Sequence, residues 1–289
     1  MASKDKVFYS KNTLNINGNL IDLSSPKIMG ILNVTSDSFY DGGKFLTEKE
    51  ISIHVEKMIS EGVDIIDVGG YSSRPGAKDI NEEEETEQVL KGIKSIKNVS
   101  GDIPISVDTF RANVARKSID SGAGMINDIS GGNLDKKMFQ LISEYNVPYI
   151  LMHMVGTPQN MAYNVNYNNI LIEIVNYFSK KLKELTHFGI KDVIIDVGFG
   201  FSKTTLQNYV LLRHLKCLHM LNAPLLVGIS RKSMIYKVLE TSPEKALNGT
   251  TALHAISLLK GANILRAHDV KEAKEAVDLI NLVKIDTTV

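Results

Sequence analysis

The sequence lacks most features that mark secreted, nucleic-acid-binding or metal-clustering proteins. Its 289 residues contain one cysteine, Cys217, and no tryptophan. A single cysteine excludes an internal disulfide and any metal site built from several cysteines. Basic and acidic residues each number 33, so the formal net charge is zero. The chain therefore has no positive field with which to hold nucleic acid or an anionic membrane, and we expect neither partner.

Long hydrophobic runs are also missing. No stretch reaches the ~18 apolar residues of a membrane span, and the first residues hold no apolar core of signal-peptide length. We therefore expect a soluble, cytoplasmic enzyme. Cys217 lies in the apolar stretch 211–221, which we predict to be helical, with the cysteine as a small buried residue. The His-Glu-x-x-His pattern of zinc hydrolases does not occur.

What the sequence does contain is a regular alternation of short apolar runs and amphipathic stretches. A hairpin is predicted first, over 7–23, because Asn17-Gly18 favours a type I′ turn. We assign 1–26 to an N-terminal hairpin extension and 27–289 to the main domain. Eight apolar runs follow, at 27–32, 63–68, 103–107, 124–127, 148–152, 192–197, 224–229 and 262–265. Strands alternating with helices imply parallel pairing, so we predict an α/β fold, a (β/α)8 TIM barrel. An open doubly wound sheet is the alternative, weakened because no Gly-x-Gly-x-x-Gly follows the first run.

Several helix boundaries can be predicted. Thr47 and Glu50 form a candidate capping box, and Asn81 a candidate cap before the acidic run 82–85, which we expect to be solvated. Ser242 followed by Pro243 predicts another helix start. Glycines stand where helices should end, at positions 62, 122, 189 and 261.

Polar residues follow most of the predicted strands, and a parallel barrel brings all these ends to one mouth. They are Asn33, Asp108, Asn127, His153, Asp196, the run 230–232 and the run 266–268. Asp108, Asn127 and Asp196 would suit a flat heterocycle with several N–H donors, since a carboxylate accepts two parallel N–H bonds. Lys232, Arg266 and His268 would supply positive charge on strands 7 and 8, where such barrels often hold phosphate. The alternative for Asp108 is a cap on the following helix.

Eight ordered motifs over about 27–284 resemble the dihydropteroate synthase family. They are Asn33-Val-Thr-Ser-Asp-Ser-Phe39 with Asp41-Gly-Gly43, Gly69-Gly-Tyr-Ser-Ser-Arg-Pro-Gly76, Ser106-Val-Asp-Thr109, Ile126-Asn-Asp128, Leu151-Met-His153, Asp196-Val-Gly-Phe-Gly-Phe201, Ser230-Arg-Lys-Ser233 and Arg266-Ala-His268. Ser36, Tyr71, Ser73 and Val197 depart from the usual pattern of that family, but no charged group is lost.

The resemblance implies a transferase of folate biosynthesis. It would condense 6-hydroxymethyl-7,8-dihydropterin pyrophosphate with p-aminobenzoate, giving 7,8-dihydropteroate and pyrophosphate, as a Mg²⁺-dependent homodimer and a sulfonamide target. Lys232, Asp108 and Arg266 would be the catalytic group. Asp108, Asn127, Asp196 and Lys232 would bind the pterin. Arg266 and His268 would hold pyrophosphate, and Asn33 would help to hold Mg²⁺. The aminobenzoate pocket would use Phe39, Ser73, Arg74 and Pro75, with Ser233 nearby. Met152 and Phe201 would also bind substrate.

Two other functions are compatible with a pterin-binding barrel. A pterin-dependent methyltransferase would keep the pterin carboxylates but would not need the first-loop motif or Ser-Arg-Lys-Ser. A non-catalytic paralogue that only binds pterin should have lost loop residues or the Arg266 and His268 pair, and these residues are present.

Overall fold

Strands and helices alternate in the computed structural model, which describes residues 11–35, 47–73, 79–161 and 165–285. The strands are β1 (Thr13–Ile16), β2 (Asn19–Asp22), β3 (Lys27–Asn33), β4 (Ile65–Gly69), β5 (Ile105–Asp108), β6 (Met125–Asp128), β7 (Tyr149–Met152), β8 (Val193–Asp196), β9 (Leu225–Val227) and β10 (Ile264–Ala267). The helices are α1 (Glu48–Ser60), α2 (Glu82–Val99), α3 (Ala112–Asp120), α4 (Met138–Tyr145), α5 (Ile170–His187), α6 (Thr205–Arg213), α7 (Ser233–Tyr236), α8 (Leu247–Leu259) and α9 (Val270–Val283).

The strands β3 to β10 close into a barrel in chain order, and every neighbouring pair is parallel. Each of the eight predicted apolar runs overlaps one of these strands. The predicted (β/α)8 barrel is confirmed, and the open-sheet alternative is wrong because β10 pairs with β3. None of the helices within the described ranges has the length and apolar character needed to cross a membrane.

The predicted hairpin is confirmed as β1 and β2, paired antiparallel. Asn17 and Gly18 have φ of 51° and 84°, the positive values that a type I′ turn requires at both central positions. Leu14, Ile16 and Leu23 are buried in one apolar cluster with residues of the barrel strands. The hairpin thus packs against the apolar interior of the barrel rather than lying apart from it.

Most of the predicted helix boundaries are confirmed. Thr47 and Glu50 form a capping box, and the Asn81 side chain accepts a hydrogen bond from the Glu84 amide. Ser242 is the N-cap residue of a 3-10 helix that starts with Pro243, but its side chain accepts no capping hydrogen bond. Pro243–Lys245 forms a single 3-10 turn, closed by i→i+3 bonds such as Lys245 N to Ser242 O, and α8 begins only at Leu247.

Two predictions about burial are wrong. Cys217 is exposed, because 215–221 is a 3-10 helix in which the buried residues, Leu215 and Leu218, are three apart. With three residues per turn, Cys217 falls on another face. Glu85 belongs to the acidic run that we expected to be solvated, yet it is fully buried, and the Arg111 guanidinium lies 2.5 Å from its carboxylate.

Candidate active site

Strand alternation determines which side chains enter the barrel. Seven barrel strands each contribute one apolar residue to the buried cluster that contains the hairpin, namely Met29, Ile65, Met125, Ile150, Ile194, Leu226 and Ile264. Side chains two positions later on a strand point to the same face. Those positions, one layer nearer the carboxyl ends, hold Ile31, Asp67, Asn127, Met152, Asp196, Gly228 and Arg266. The interior therefore changes from apolar to largely polar within one layer.

Arg266 is at the centre of this polar layer. Its Nε donates to Asp67 Oδ2 at 2.6 Å, and its Nη2 donates to Asp108 Oδ2 at 2.8 Å. Asn127 Nδ2 donates to the same Asp67 oxygen at 2.9 Å. Strands β4, β5, β6 and β10 are thus joined by one hydrogen-bonded network. Asp108 belongs to this network and does not cap α3, whose N-cap residue is Arg111.

The charges of this network influence one another strongly. Burial raises the pKa of Asp108 to about 7; the Arg266 charge acts in the opposite direction, while the Asp67 charge adds to the rise. Burial also lowers the pKa of Arg266, but Asp67 and Asp108 more than compensate and raise it overall. Arg266 therefore remains a cation between two carboxylates.

Lys232 and Asp196 form the second charged part of the site. Burial lowers the pKa of Lys232 to about 8 and raises that of Asp196, and each charge opposes the shift of the other. Lys232 Nζ donates to the Phe199 carbonyl at 2.5 Å and lies 4.5 Å from the centroid of the Phe201 ring. Asp196 Oδ1 accepts from the Gly198 amide at 2.8 Å. Both side chains are thereby held by the glycine-rich loop that follows β8.

An apolar group borders the polar layer at the mouth. Ile129, Met152, Met154 and Met161 form a buried cluster, against which Phe110 and Phe201 pack. If the edge of a flat ring formed hydrogen bonds with the polar layer, the face of the ring would contact these apolar side chains. The predicted residues Met152 and Phe201 are therefore brought to the same place.

The remaining predicted residues lie around the mouth. Asn33 ends β3 and is paired with Gly69, and a Cβ at Gly69 would be 3.5 Å from Asn33 Oδ1 and 3.8 Å from the Asp108 Cβ. Ser73 follows β4 and is half-buried. Ser233 begins α7, and His268 Nδ1 lies 3.0 Å from Ser230 Oγ. Phe39, Arg74 and Pro75, with Ser36, lie outside the residues that the structure describes.

Sequence reasoning missed two supporting residues, Asp67 and Lys203. Asp67 is fully buried in the network, and its signal was a carboxylate inside the apolar strand Ile65–Gly69. Lys203 Nζ donates to the carbonyls of Gly198 and Phe201 at 3.1 and 2.9 Å and fixes the loop after β8. His153, a predicted strand-end residue, contacts Lys203 through Nδ1, and burial lowers its pKa to about 3. His153 is therefore neutral and holds the loop rather than a substrate.

No group of three or more His, Cys, Asp or Glu side chains suited to a metal occurs in the part of the chain that the structure describes. A metal held entirely by such protein ligands is therefore not supported there. Mg²⁺ commonly takes one or two protein oxygens and completes its shell with substrate phosphates and water. The amide oxygen of Asn33, at the mouth, fits a site of that second kind.

Known proteins are similar to this chain in both sequence and fold. The family model described as "Pterin binding enzyme" matches residues 29–268. Dihydropteroate synthase of Escherichia coli (strain K12) is 41% identical over 265 residues, which cover 91% of this chain and 93% of that protein. The corresponding protein of Bacillus subtilis (strain 168) is 40% identical over 247 residues, covering 85% and 84%.

Solved structures of the same family are also similar to this chain. Yersinia pestis dihydropteroate synthase, in a sulfonamide drug complex, superposes with a TM-score of 0.90 at 38% identity, covering 94% of this chain and 99% of that one. The Xanthomonas albilineans enzyme in complex with 7,8-dihydropteroate gives a TM-score of 0.84 at 33% identity, with the same coverage. The chain therefore belongs to the pterin-binding enzymes and, among them, to the dihydropteroate synthases, transferases of folate biosynthesis.

Proposed function

We propose that the polar layer of this barrel binds 6-hydroxymethyl-7,8-dihydropterin pyrophosphate and condenses it with p-aminobenzoate. The observation that carries the proposal is the set of acceptors at the carboxyl ends of β5, β6 and β8. Asp108, Asn127 and Asp196 face one interior, and a pterin presents several N–H donors along one edge. The apolar group with Met152 and Phe201 would lie against the faces of the ring.

The leaving group would be held by N–H donors on and directly after β10. Arg266 has five N–H donors, of which Asp67 and Asp108 accept two, so others remain for an anion. His268 follows β10 and adds a second group of the same kind. Asn33 would hold Mg²⁺, which when bound would neutralise charge on the pyrophosphate.

The reaction requires no protein nucleophile. The bond between the exocyclic methylene carbon and the pyrophosphate oxygen breaks, and its electron pair leaves with pyrophosphate. The amine nitrogen of p-aminobenzoate then bonds to that carbon and releases a proton. The protein's contribution is electrostatic, since Asp108 and Asp196 can stabilise positive charge delocalised into the pterin ring.

The aminobenzoate would lie where Lys232, Ser233, Ser73 and Phe201 approach the mouth. Lys232 is held by the Phe199 carbonyl beside the Phe201 ring. This contact supports a position for Lys232 next to both substrates. Phe39, Arg74 and Pro75 would complete this pocket. We place the reaction in the cytoplasm, as expected from the sequence, and assign the active form to a homodimer.

A direct assay tests this proposal. The chain is incubated with the pterin pyrophosphate, p-aminobenzoate and Mg²⁺, and both released pyrophosphate and dihydropteroate are measured. Equal amounts of the two products are expected, with turnover strongly reduced in Lys232→Met. Binding of pterin without either product would identify a non-catalytic paralogue, and methyl transfer from a folate would identify the methyltransferase alternative.

A further inference from the structure

Asp67 is a buried charge that the proposed reaction does not use. It is fully buried on β4, one layer above Ile65 and directly among the side chains expected to touch the substrate. Both of its hydrogen bonds converge on one oxygen, Oδ2, from Arg266 Nε and Asn127 Nδ2. Its other oxygen has no partner among the described residues. Burial of a carboxylate with one unpaired oxygen lowers the free energy of unfolding. We therefore expect the contacts of Asp67 to serve a function other than packing.

The contact with Asn127 sets the direction of the amide. An ionised carboxylate only accepts hydrogen bonds, so the amide nitrogen of Asn127 must turn towards Asp67. The amide oxygen then points away from Asp67, and no protein donor reaches it within the described part of the chain. Asn127 consequently offers an acceptor, and not a donor, to a bound heterocycle.

The contact with Arg266 has a different consequence. Asp108 also pairs with Arg266, but Asp108 is partly exposed, with 21% of its side chain accessible, whereas Asp67 is inaccessible. If Asp108 turns to accept N–H bonds of a substrate, it must release its share of the guanidinium. The Asp67 side chain is inaccessible and its contact need not change, so it keeps Arg266 in place while Asp108 exchanges partners.

We propose that Asp67 is a positioning residue of this active site, which orients the Asn127 amide so that its oxygen faces the pterin and anchors the Arg266 guanidinium during substrate binding. The inference rests on the proposed function. It predicts that pterin binding requires one carboxylate and one amide at positions 67 and 127, and depends less on which position holds which.

A reciprocal exchange tests this pairing. Asn127→Asp keeps an acceptor for the substrate but sets two carboxylates against each other, so 6-hydroxymethylpterin should bind far more weakly in calorimetry. In the double variant, Asp67→Asn with Asn127→Asp, the new amide must turn so that its nitrogen donates to the new carboxylate and its oxygen accepts from Arg266 Nε, and the number of charges is restored. The double variant should bind about tenfold more tightly than Asn127→Asp alone. A double variant that binds as weakly as Asn127→Asp, or more weakly, would overturn the proposal.

A second readout uses Asp67→Asn alone. It should raise the KM for the pterin pyrophosphate several-fold and leave the KM for p-aminobenzoate unchanged, whereas equal changes in both, or in neither, would contradict a positioning role. The matched control is Asp64→Asn. Asp64 precedes the same strand at the other end of the barrel and accepts from the Ile28 amide, a bond that the amide oxygen can keep, so neither KM should change.

The two proposals fail in different ways. A wild-type chain that binds no 6-hydroxymethylpterin would overturn the proposed function, and this inference with it. A wild-type chain that binds the pterin, with no rescue in the double variant, would overturn only the role of Asp67. Melting temperatures of all variants confirm that each is folded at the temperature of the binding measurement.

Discussion

At the scale of single residues, Asp196 offers the clearest test of pterin recognition. Its Oδ1 accepts from the Gly198 amide, so in Asp196→Asn the amide oxygen can keep that bond and the nitrogen must face the site. A donor would then oppose the N–H edge of the pterin. We expect calorimetry to show pterin binding weakened by about 2–4 kcal/mol.

The control for Asp196 is on the same strand. Asp192 precedes β8 at the far end of the barrel and pairs with Lys11 at 2.6 Å. Asp192→Asn should leave pterin binding unchanged. Unaltered affinity in a folded Asp196→Asn variant would remove Asp196 from the site.

Asp108 should give pterin binding a characteristic pH dependence. Burial raises its pKa from 3.8 to about 7, and only the ionised carboxylate accepts two N–H bonds. Pterin affinity should therefore rise between pH 5 and pH 8, by up to about tenfold per pH unit below 7, and level off above. Calorimetry across this range, corrected for the titration of free pterin, should show the step in wild type and a smaller pH dependence in Asp108→Asn, in which Lys232 still titrates.

The same shift affects the stability of the free protein with the opposite sign. Between 3.8 and about 7 the folded chain holds a proton on Asp108 that the unfolded chain has released. The contribution of this group to the free energy of unfolding therefore falls as the pH rises through that range. Ionisation of Asp108 therefore strengthens ligand binding and lowers the free energy of unfolding of the unliganded protein.

At the scale of elements, the N-terminal hairpin and the barrel form one packed unit. Ile16 is 2% exposed and lies in the cluster that contains Met29, Met125 and Ile194. Ile16→Ala should leave a cavity there and lower the free energy of unfolding by about 2–4 kcal/mol. Urea denaturation measures this loss. Leu20→Ala is the matched control, since Leu20 is 73% exposed on the same hairpin, and a similar loss in both variants would contradict the packing role of Ile16.

Single turns and loops were less predictable than strands. The strands could be predicted because each is a short apolar run bounded by glycine or polar residues, a signal carried by neighbours in sequence. The loop after β8 could not be predicted, because Lys203 bonds to carbonyls of residues as distant as His153. Glu85 was misassigned for the same reason: its burial depends on Thr109 and Arg111, which are more than twenty residues away.

At the scale of the whole molecule, one surface is unusually apolar. Leu279, Leu282 and Val283 on α9 are 65%, 67% and 69% exposed, and three- and four-residue spacing places them on one stripe. Ile256 and Leu259 are exposed on the neighbouring helix α8. Exposed apolar stripes of this kind are typical of protein interfaces. They support the homodimer proposed above.

Leu282→Glu tests this interface. A charge in the centre of the stripe should convert a dimer into a monomer, which sedimentation velocity would detect as a halved mass. Leu206→Glu places the same charge at a leucine that is 74% exposed on α6, and it should leave the mass unchanged. A wild-type chain that sediments as a monomer, or a Leu282→Glu dimer, would exclude this surface as the interface.

The sequence by itself determined the order of elements, the closure of the barrel and the ring of strand-end residues. These properties follow from local periodicity, from turn residues such as Asn17-Gly18 and from the geometry of parallel strands, which delivers every strand end to one mouth. The family motifs added the substrate class, since they carry the residues of the site in order.

Only the tertiary structure decided which of those residues interact. Asp67 and Arg266 are 199 positions apart in the chain, yet they form the ion pair on which the polar layer is built. No local signal predicts such a contact, because it depends on the closure of the barrel, which pairs β10 with β3 and so brings it within one strand of β4. The pKa of Asp108, the direction of the Asn127 amide and the burial of Glu85 follow from that packing, since burial and neighbouring charge, and not residue type, set the properties of ionisable groups.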